Sequence, residues 1–286
     1  MSSTFTPYLE PSISMPNDFN QQIIDEFRAN KGQVGGYFEG ARLLLLTTTG
    51  ARSGASHTTP LGYLPDGDRV LIIASAGGAP KNPAWYHNLL ADPQVTVEDG
   101  VFTYQAKAVV IEGEERDRLF ARAVESDPGW AEYETRSGRV LPVVALLPSF
   151  GGPPIGRMGD VLKTVHDAFR RELALVRREA AASGPRLAAQ LRVNCLTVCG
   201  NLHEHHTRED GHMFPALERQ YPELAPVLER LRAEHATVAR LLGDLKALLA
   251  DDDADPATLV SEVDRLTREV EAHLDYEEEQ LVALLN

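Results

Sequence analysis

Two different spacings of apolar residues divide this chain. Between Arg42 and Leu147 they come in short runs set off by Gly, Pro and Asp. These are Arg42–Thr49 (RLLLLTTT), Thr58–Leu64 (TTPLGYL), Arg69–Ser75 (RVLIIAS), Val95–Val97, Thr103–Ile111 and Val140–Leu147. Runs of this kind, bounded by turn residues, predict strands, and PDGD (Pro65–Asp68) predicts a hairpin turn between the second and third. Helical spacing sets Phe19, Ile23, Ile24 and Phe27 on one stripe of Asp18–Ala29, and shorter helices are expected at Pro83–Ala91 and Glu114–Glu125. Six strands with few helices predict a small barrel rather than a parallel sheet. The polar, Pro-punctuated residues 1–17 predict a loose arm.

Pro148–Pro154 (PSFGGPP) interrupts regular structure and marks a boundary. Beyond it the apolar spacing changes to alternating threes and fours. A helix over Asp160–Ala181 buries Leu162, His166, Phe169, Leu173 and Val176; a second over Pro185–Phe214 buries Leu191, Cys195, Val198, Leu202, His205 and Glu209. A third, from Pro222, buries Leu228, Leu231, His235, Val238, Leu242, Leu245 and Leu249. After an acidic turn at Asp251–Pro256, a fourth buries Leu259, Val263, Leu266, Val270, His273 and Glu277. This is the core spacing of an up-down-up-down four-helix bundle. The expected division is a β-barrel over 18–147, a linker over 148–158 and the bundle over 159–286.

Charge narrows the partners. The net charge is −14, with 12 basic and 18 acidic residues up to Ile155 and 16 and 24 after it, so neither half is a basic nucleic-acid module. No run of about 18 apolar residues predicts a membrane span, and no basic-then-apolar leader predicts secretion. The only cysteines, Cys195 and Cys199, stand i,i+4 on an apolar helix face and are expected as core residues. Together these features predict a cytoplasmic protein.

Histidine is concentrated in the second half, which holds seven of the nine. His166, His205, Glu209, His235, His273 and Glu277 all take stripe positions where leucine is expected. Burying two carboxylates without a positive partner costs several kcal/mol each, so a metal pair between the helices is the economical reading. Imidazoles and carboxylates without thiolate suit iron or manganese rather than structural zinc, with Glu209 and Glu277 bridging two ions. The pattern H-x-x-x-E recurs on the second and fourth helices. Of the crowded stretch Leu202–Gly211 only His205 and Glu209 keep this register; His203, His206 and the following His212 are expected to be spare. Charge runs such as Arg170-Arg171 and the remainder of Glu277–Glu279 are expected on solvated faces.

In the first half, Thr47–Gly54 (TTTGARSG) sets Arg52 and Ser53 between glycines, a composition that suits either an anion or a polar hairpin loop. Ser75–Leu89 has a Gly pair, then Lys81, then Trp85, Tyr86 and Asn88 opening a helix; these aromatics either wall a flat ring or cover the core. In combination, TTTG-x-RSG, PL-x-Y, AS-x-GG-x-PKNP-x-WY-x-NL, DP-x-V and WAEYETRSGRVLPVV resemble the deazaflavin-dependent nitroreductase family over about Phe19–Leu147. The resemblance implies a split β-barrel of the FMN-binding-like kind that uses coenzyme F420. It implies that Arg52, Ser53, Gly54 and Lys81 hold the cofactor's phosphate and acidic tail. Thr58, Thr59, Pro60 and Ala74, Ser75, Ala76, Gly77 would flank the deazaflavin, with Trp85, Tyr86 and Asn88 nearby. Tyr63, Ser75 and Tyr133 fall at substrate-side, catalytic positions, where a tyrosine hydroxyl can protonate or polarise an acceptor.

The set H…H-x-x-x-E…H…H-x-x-x-E resembles the hemerythrin-like, HHE cation-binding domain over about Gly159–Asn286. This implies a di-iron centre, two iron ions, open to oxygen, peroxide or nitric oxide, with the place of a fifth histidine taken by His203, His206 or His212, or by a water or bridging oxide. The expected function is hydride transfer from reduced F420 to an organic acceptor, a quinone or nitro compound, beside an iron domain that protects or senses. The alternative is a non-enzymatic oxygen or iron sensor in which both domains only bind ligands. A homodimer is the default expectation for the split barrel.

Overall fold

The computed structural model describes residues 16–149, 156–183, 187–251 and 254–286. The expected arm, the middle of the expected linker, the Pro185 helix start and part of the acidic turn lie outside the described residues.

The first half is one antiparallel sheet of seven strands: β1 Leu43–Thr49, β2 Ser56–Gly62, β3 Leu64–Asp66, β4 Arg69–Ile73, β5 Gln94–Glu98, β6 Thr103–Ile111 and β7 Val143–Ser149. Their order is β2-β1-β5-β6-β7-β4-β3. The two end strands, β2 and β3, are separated along the chain by Tyr63 alone. The sheet therefore curls until its first and last strands meet, which gives the split barrel. The predicted strand Thr58–Leu64 is accordingly two strands, broken at Tyr63. The Pro65–Asp68 turn forms as expected, with Asp66 paired to Arg69.

The LLLL run of β1 lies between two apolar layers. Leu44 and Leu46 face the barrel interior with Ile72, Val97 and Val144. Leu43 and Leu45 pack under Ile23, Ile24 and Phe27 of α1 (Pro16–Ala29). Helices α2 (Ala84–Ala91) and α3 (Gly113–Ser126) are where their spacing predicts them; α4 (Gly129–Ser137) is additional.

The second half consists of α5 (Met158–Ala181), α6 (Ala189–Arg208), a π turn at Glu209–Met213, α7 (Phe214–Gln220), α8 (Ala225–Ala250) and α9 (Pro256–Leu285). α5 packs on α6 and α9, and α8 closes on the same two helices. Every apolar stripe residue predicted for the four bundle helices is buried, whereas Phe19 of the α1 stripe is exposed, and Cys195 and Cys199 are buried free thiols. No described helix is long and apolar enough to cross a membrane.

A polar seam joins the halves. Arg42, 8% exposed at the start of β1, donates to Glu179 Oε1 at 2.7 Å and Glu172 Oε2 at 2.5 Å, both on α5. Burial works against its charge, but the two carboxylates more than restore it. Arg171 enters a notch between Gly32 and Gly100, where an added Cβ would stand 2.7 and 2.6 Å from its Nη1. Both glycines have φ near +90°, so the notch needs residues without side chains. The Arg170-Arg171 pair is thus no solvated face.

Candidate metal centre and cofactor loops

The π turn makes α6 unlike the other bundle helices. It opens one wide turn directly after Arg208, and such turns are frequent at functional sites. His206 is 5% and Glu209 4% exposed, while the His205 side chain is 13% exposed. His206, expected to be spare, therefore faces the bundle axis. The pattern did contain the signal: Leu202 to His206 to Glu209 is a four-three step, as regular as the three-four step through His205. His203 and His212 are exposed, as expected.

Two groups of donors meet between the helices. His206, His235 and His273 each bring one donor atom within 4.8 Å of the others, and so do His166, His205, Glu209 and Glu277. Both carboxylates reach toward each group. Glu209 places Oε1 3.2 Å from His205 Nε2 and Oε2 3.6 Å from His235 Nε2. Glu277 Oε2 lies 3.5 Å from His166 Nε2 and 3.6 Å from His273 Nε2.

The donor chemistry of this cluster fits cations. Both oxygens of Glu209 and Glu277, and Nε2 of His166, His205 and His206, are buried without a hydrogen-bond partner. On the outside, Nδ1 of His166 meets Glu278 at 3.0 Å, that of His235 meets Asp210 at 2.9 Å, and that of His273 meets Glu234 at 3.0 Å. A carboxylate on Nδ1 holds the proton there and turns the Nε2 lone pair inward, the usual backing of a metal-bound histidine. His235 Nε2 and His273 Nε2 are 3.1 Å apart, so their lone pairs repel unless a cation lies beside them. Glu278 also accepts from Arg170 Nη1 at 2.7 Å. The Glu277–Glu279 run is therefore not simply solvated at its second member.

Desolvation keeps the imidazoles neutral: His166 falls to about 2 and His205 and His235 to about 3, with neighbouring histidines adding to the effect. His206 and His273 are lowered for the same first reason. Burial raises the carboxyls of Glu209 and Glu277 above their ordinary value, and like charge nearby adds to it. Seven groups thus converge, and five of them, His166, His205, His206, Glu209 and Glu277, hold buried polar atoms without a hydrogen-bond partner. Among the seven, His166, His205, Glu209, His235, His273 and Glu277 are the residues the sequence singled out, and His206 joins them from the three candidates for a fifth histidine.

The barrel loops gather at the far end of β1 and β2. Arg52, Ser53 and Gly54 lie in an exposed turn closed by Gly50 N–H to Ala55 O at 2.7 Å. Buried Asn88 ties that turn to α2, accepting from Ala51 N–H at 3.1 Å and donating to Thr48 Oγ1 at 3.0 Å. Asn88 is therefore a brace. Trp85 is buried in the barrel core, with half-buried Tyr86 edge-on to it at 6.2 Å. Thr58, Thr59 and Pro60 line the edge strand β2, where proline's missing N–H is tolerated.

Ala74–Gly77 and exposed Lys81 belong to a loop organised by Arg139, which the sequence reading did not single out. Its guanidinium donates to Ala74 O at 2.8 Å, Ser75 O at 2.9 Å and Asn82 Oδ1 at 2.5 Å. An added Cβ at Gly54 or Gly77 would meet nothing within 4 Å. The turn and the loop are thus open backbone bordered by Arg52 and Lys81, which suits a phosphorylated cofactor. Tyr133 sits on α4 against Trp130, with Arg136 above its ring. Tyr63 lies elsewhere: it is buried at the seam, its hydroxyl 3.4 Å from Glu172 Oε1.

Known proteins are similar to the two halves separately. Residues 20–148 match the F420H(2)-dependent quinone reductase family and residues 157–285 the hemerythrin HHE cation binding domain. Two F420H(2)-dependent quinone reductases of Mycobacterium tuberculosis, from strains CDC 1551 and H37Rv, are each 39% identical over 124 residues, covering 42% of this chain and 83% of theirs. A solved F420-H2 dependent reductase is 40% identical with a TM-score of 0.34, covering 37% of this chain and 93% of its own. Over its first half this chain belongs to the F420H(2)-dependent quinone reductase family, and it carries a hemerythrin HHE cation binding domain after it.

Proposed function

We propose that the protein is an F420-dependent oxidoreductase that reduces a quinone-type or nitro acceptor, and that its bundle holds two iron ions. The family membership supports the first part. Arg52, Ser53, Gly54 and Lys81 take the phosphate and acidic tail of F420, and Thr58–Pro60 with Ala74–Gly77 flank its ring. The bound cofactor supplies the hydride, and the protein positions it and excludes water. Arg139 and Asn88 act as positioning residues, fixing the backbone that receives it.

The single observation behind the metal assignment is the convergence of seven ligating side chains between the helices, five of which hold buried polar atoms without a hydrogen-bond partner. His206, His235 and His273 take one ion, His166 and His205 the other, and Glu209 and Glu277 lie between. An iron pair so held supplies redox chemistry toward small oxidants such as oxygen, peroxide or nitric oxide. We assign it protection of the reductase or sensing. A deazaflavin passes electrons in pairs as hydride and is poorly matched to a centre that takes them singly.

Oxidation of reduced F420 by menadione, followed by absorbance, tests the first half; no turnover and no F420 binding at micromolar concentration refutes it. Metal analysis of the purified protein tests the second. About two irons per chain are expected, and zinc alone, or metal retained in His205→Ala/Glu277→Ala, refutes it.

A further inference from the structure

The bundle helices fall into two pairs by what they touch. α5 and α6 rest on the barrel. From α5, Glu172 pairs with Arg42, and Arg171 enters the Gly32–Gly100 notch with its Nη2 donating to Leu43 O at 3.5 Å. From α6, buried Gln190 donates to Pro65 O at 2.8 Å. The metal donors are divided between this docked pair and the other two helices. His166 comes from α5, and His205, His206 and Glu209 from α6 and the π turn that follows it. His235 lies on α8, and His273 and Glu277 lie on α9. Each group of converging donors draws on both pairs.

α5 joins the seam to the metal donors over a short span. His166 and Glu172 are six residues apart, about 9 Å of helix rise. Between them Arg170 ties the helix to α9 through Asp275 and through Glu278, the carboxylate on His166 Nδ1. On the barrel side, Arg42 and Tyr63 close one end of the β1–β2 ladder. Tyr63 N–H donates to Arg42 O at 3.1 Å, and the Tyr63 hydroxyl stands 3.4 Å from Glu172 Oε1. Further along the same ladder Leu45, Leu46 and Thr47 pair with Pro60, Thr59 and Thr58, and beyond its far end lies the Arg52–Gly54 turn. One ladder thus carries the seam at one end and stretches assigned to F420 at the other.

We propose that α5 links the metal centre to the cofactor site: cation binding through His166 fixes α5 in its docked position, and the docked seam holds β1–β2 in the form that receives F420. The proposal rests on the F420 and metal readings above and makes the bundle a sensor whose output is cofactor affinity. Glu209 stands on the docked pair and Glu277 on the other, with an oxygen of each within 4.8 Å of the other and no hydrogen-bond partner for either carboxylate. Two buried carboxylates so placed disfavour the close approach of the two pairs unless a cation lies between them. The docked pair cannot draw back without loosening Arg171 in its glycine notch and Glu172 on Arg42, and packed interfaces shift between discrete arrangements rather than continuously. With the cation bound, α5 stays in place, and F420 meets a ladder that is already ordered. Linkage makes the effect reciprocal, so F420 tightens metal binding by the same factor.

The test is F420 binding to the full-length protein by fluorescence titration, once with chelator and once after anaerobic loading with ferrous iron. Loading is expected to lower the Kd about tenfold, and saturating F420 to tighten iron about tenfold in competition with a chromogenic chelator. Arg171→Met removes the cation from the notch, and Glu172→Gln keeps the side-chain volume while removing the charge on Arg42. Neither residue is among the metal donors or in the cofactor loops. Each variant, once its melting curve shows it folded, should still bind iron, and the effect of iron on F420 should shrink to about twofold or less. A parent with the same Kd for F420 in both states overturns the proposal, as does a tenfold effect that survives in both variants. A parent that binds no F420 in either state overturns the cofactor reading, one that takes up no iron overturns the metal reading, and the proposal falls with either.

Discussion

Replacing Glu277 by leucine should stabilise the metal-free protein and abolish its response to metal. Glu277 is 0% exposed, its two oxygens have no hydrogen-bond partner, and its nearest imidazole nitrogens are 3.5 and 3.6 Å away. An orphaned buried polar group costs about 1–3 kcal/mol, and more when charged; leucine of similar size removes that cost and keeps the volume filled. With about 2–3 kcal/mol recovered and ~3–4 °C per kcal/mol for a domain near this size, the metal-free variant should melt ~6–12 °C above the metal-free parent. Loading reverses the order. Metal at 1,000 times its Kd adds about 4 kcal/mol to the parent, and the variant, lacking a carboxylate that reaches both groups, should gain far less. The pH dependence has a definite sign. Burial raises the folded carboxyl above its ordinary 4.5, so its contribution is complete below 4.5 and is lost as pH rises through the folded value. The variant's advantage should widen over that window. The neutral histidines lose their contribution below 6.5 in both proteins, so it cancels in the difference. Scanning calorimetry with chelator and with added ferrous iron reads all of this. A metal-free variant that melts below its parent by the ~2–5 kcal/mol of a core cavity, or a parent indifferent to chelator, would refute the reasoning.

Four further outcomes are expected. His206→Ala should lower bound iron from about two toward one per chain while His203→Ala leaves it unchanged, by metal analysis; equal loss in both contradicts the geometry. Loading the metal-free protein near neutral pH should release protons, because raised carboxyls must ionise to bind, and a pH-stat titration measures them. Arg139→Ala should raise the Kd for F420 by up to roughly 10–100-fold, because the loop loses charge-assisted bonds worth about 1.5–3 kcal/mol, and should lower the melting temperature as well. Arg42→Met leaves Glu172 and Glu179 without their cation and should destabilise the seam by ~3–5 kcal/mol. That change should appear as separation of one denaturation transition into two and as faster proteolysis between the halves.

The metal centre was more legible than the barrel site because a bundle core has a strict spacing that exposes misfits. A histidine or glutamate on a leucine stripe is conspicuous, and six such residues stood out. His206 stood only among three candidates for a fifth histidine because helical spacing admits two residues at one core layer, and the neighbouring His205 already filled it. The π turn that settles the matter runs between buried Glu209 and buried Phe214, and no local pattern specifies it. The outer carboxylates Asp210, Glu234 and Glu278 look like ordinary surface charge until the helices lie side by side.

The barrel loops yielded their composition but not their wiring. Arg139 is 58 residues from Lys81, and Asn88 is 37 from Ala51. Only the curled sheet brings them together. Tyr63 and its partner Glu172 are 109 residues apart in different halves. The sequence by itself determined two domains, their strand and helix periods, and the residue types of a metal cage, because burial imposes a period on a single chain. Only the tertiary structure decided which histidines converge with one another, what fixes the barrel loops and that a polar seam joins the halves. Those are contacts between elements, and no single element's pattern contains its partner.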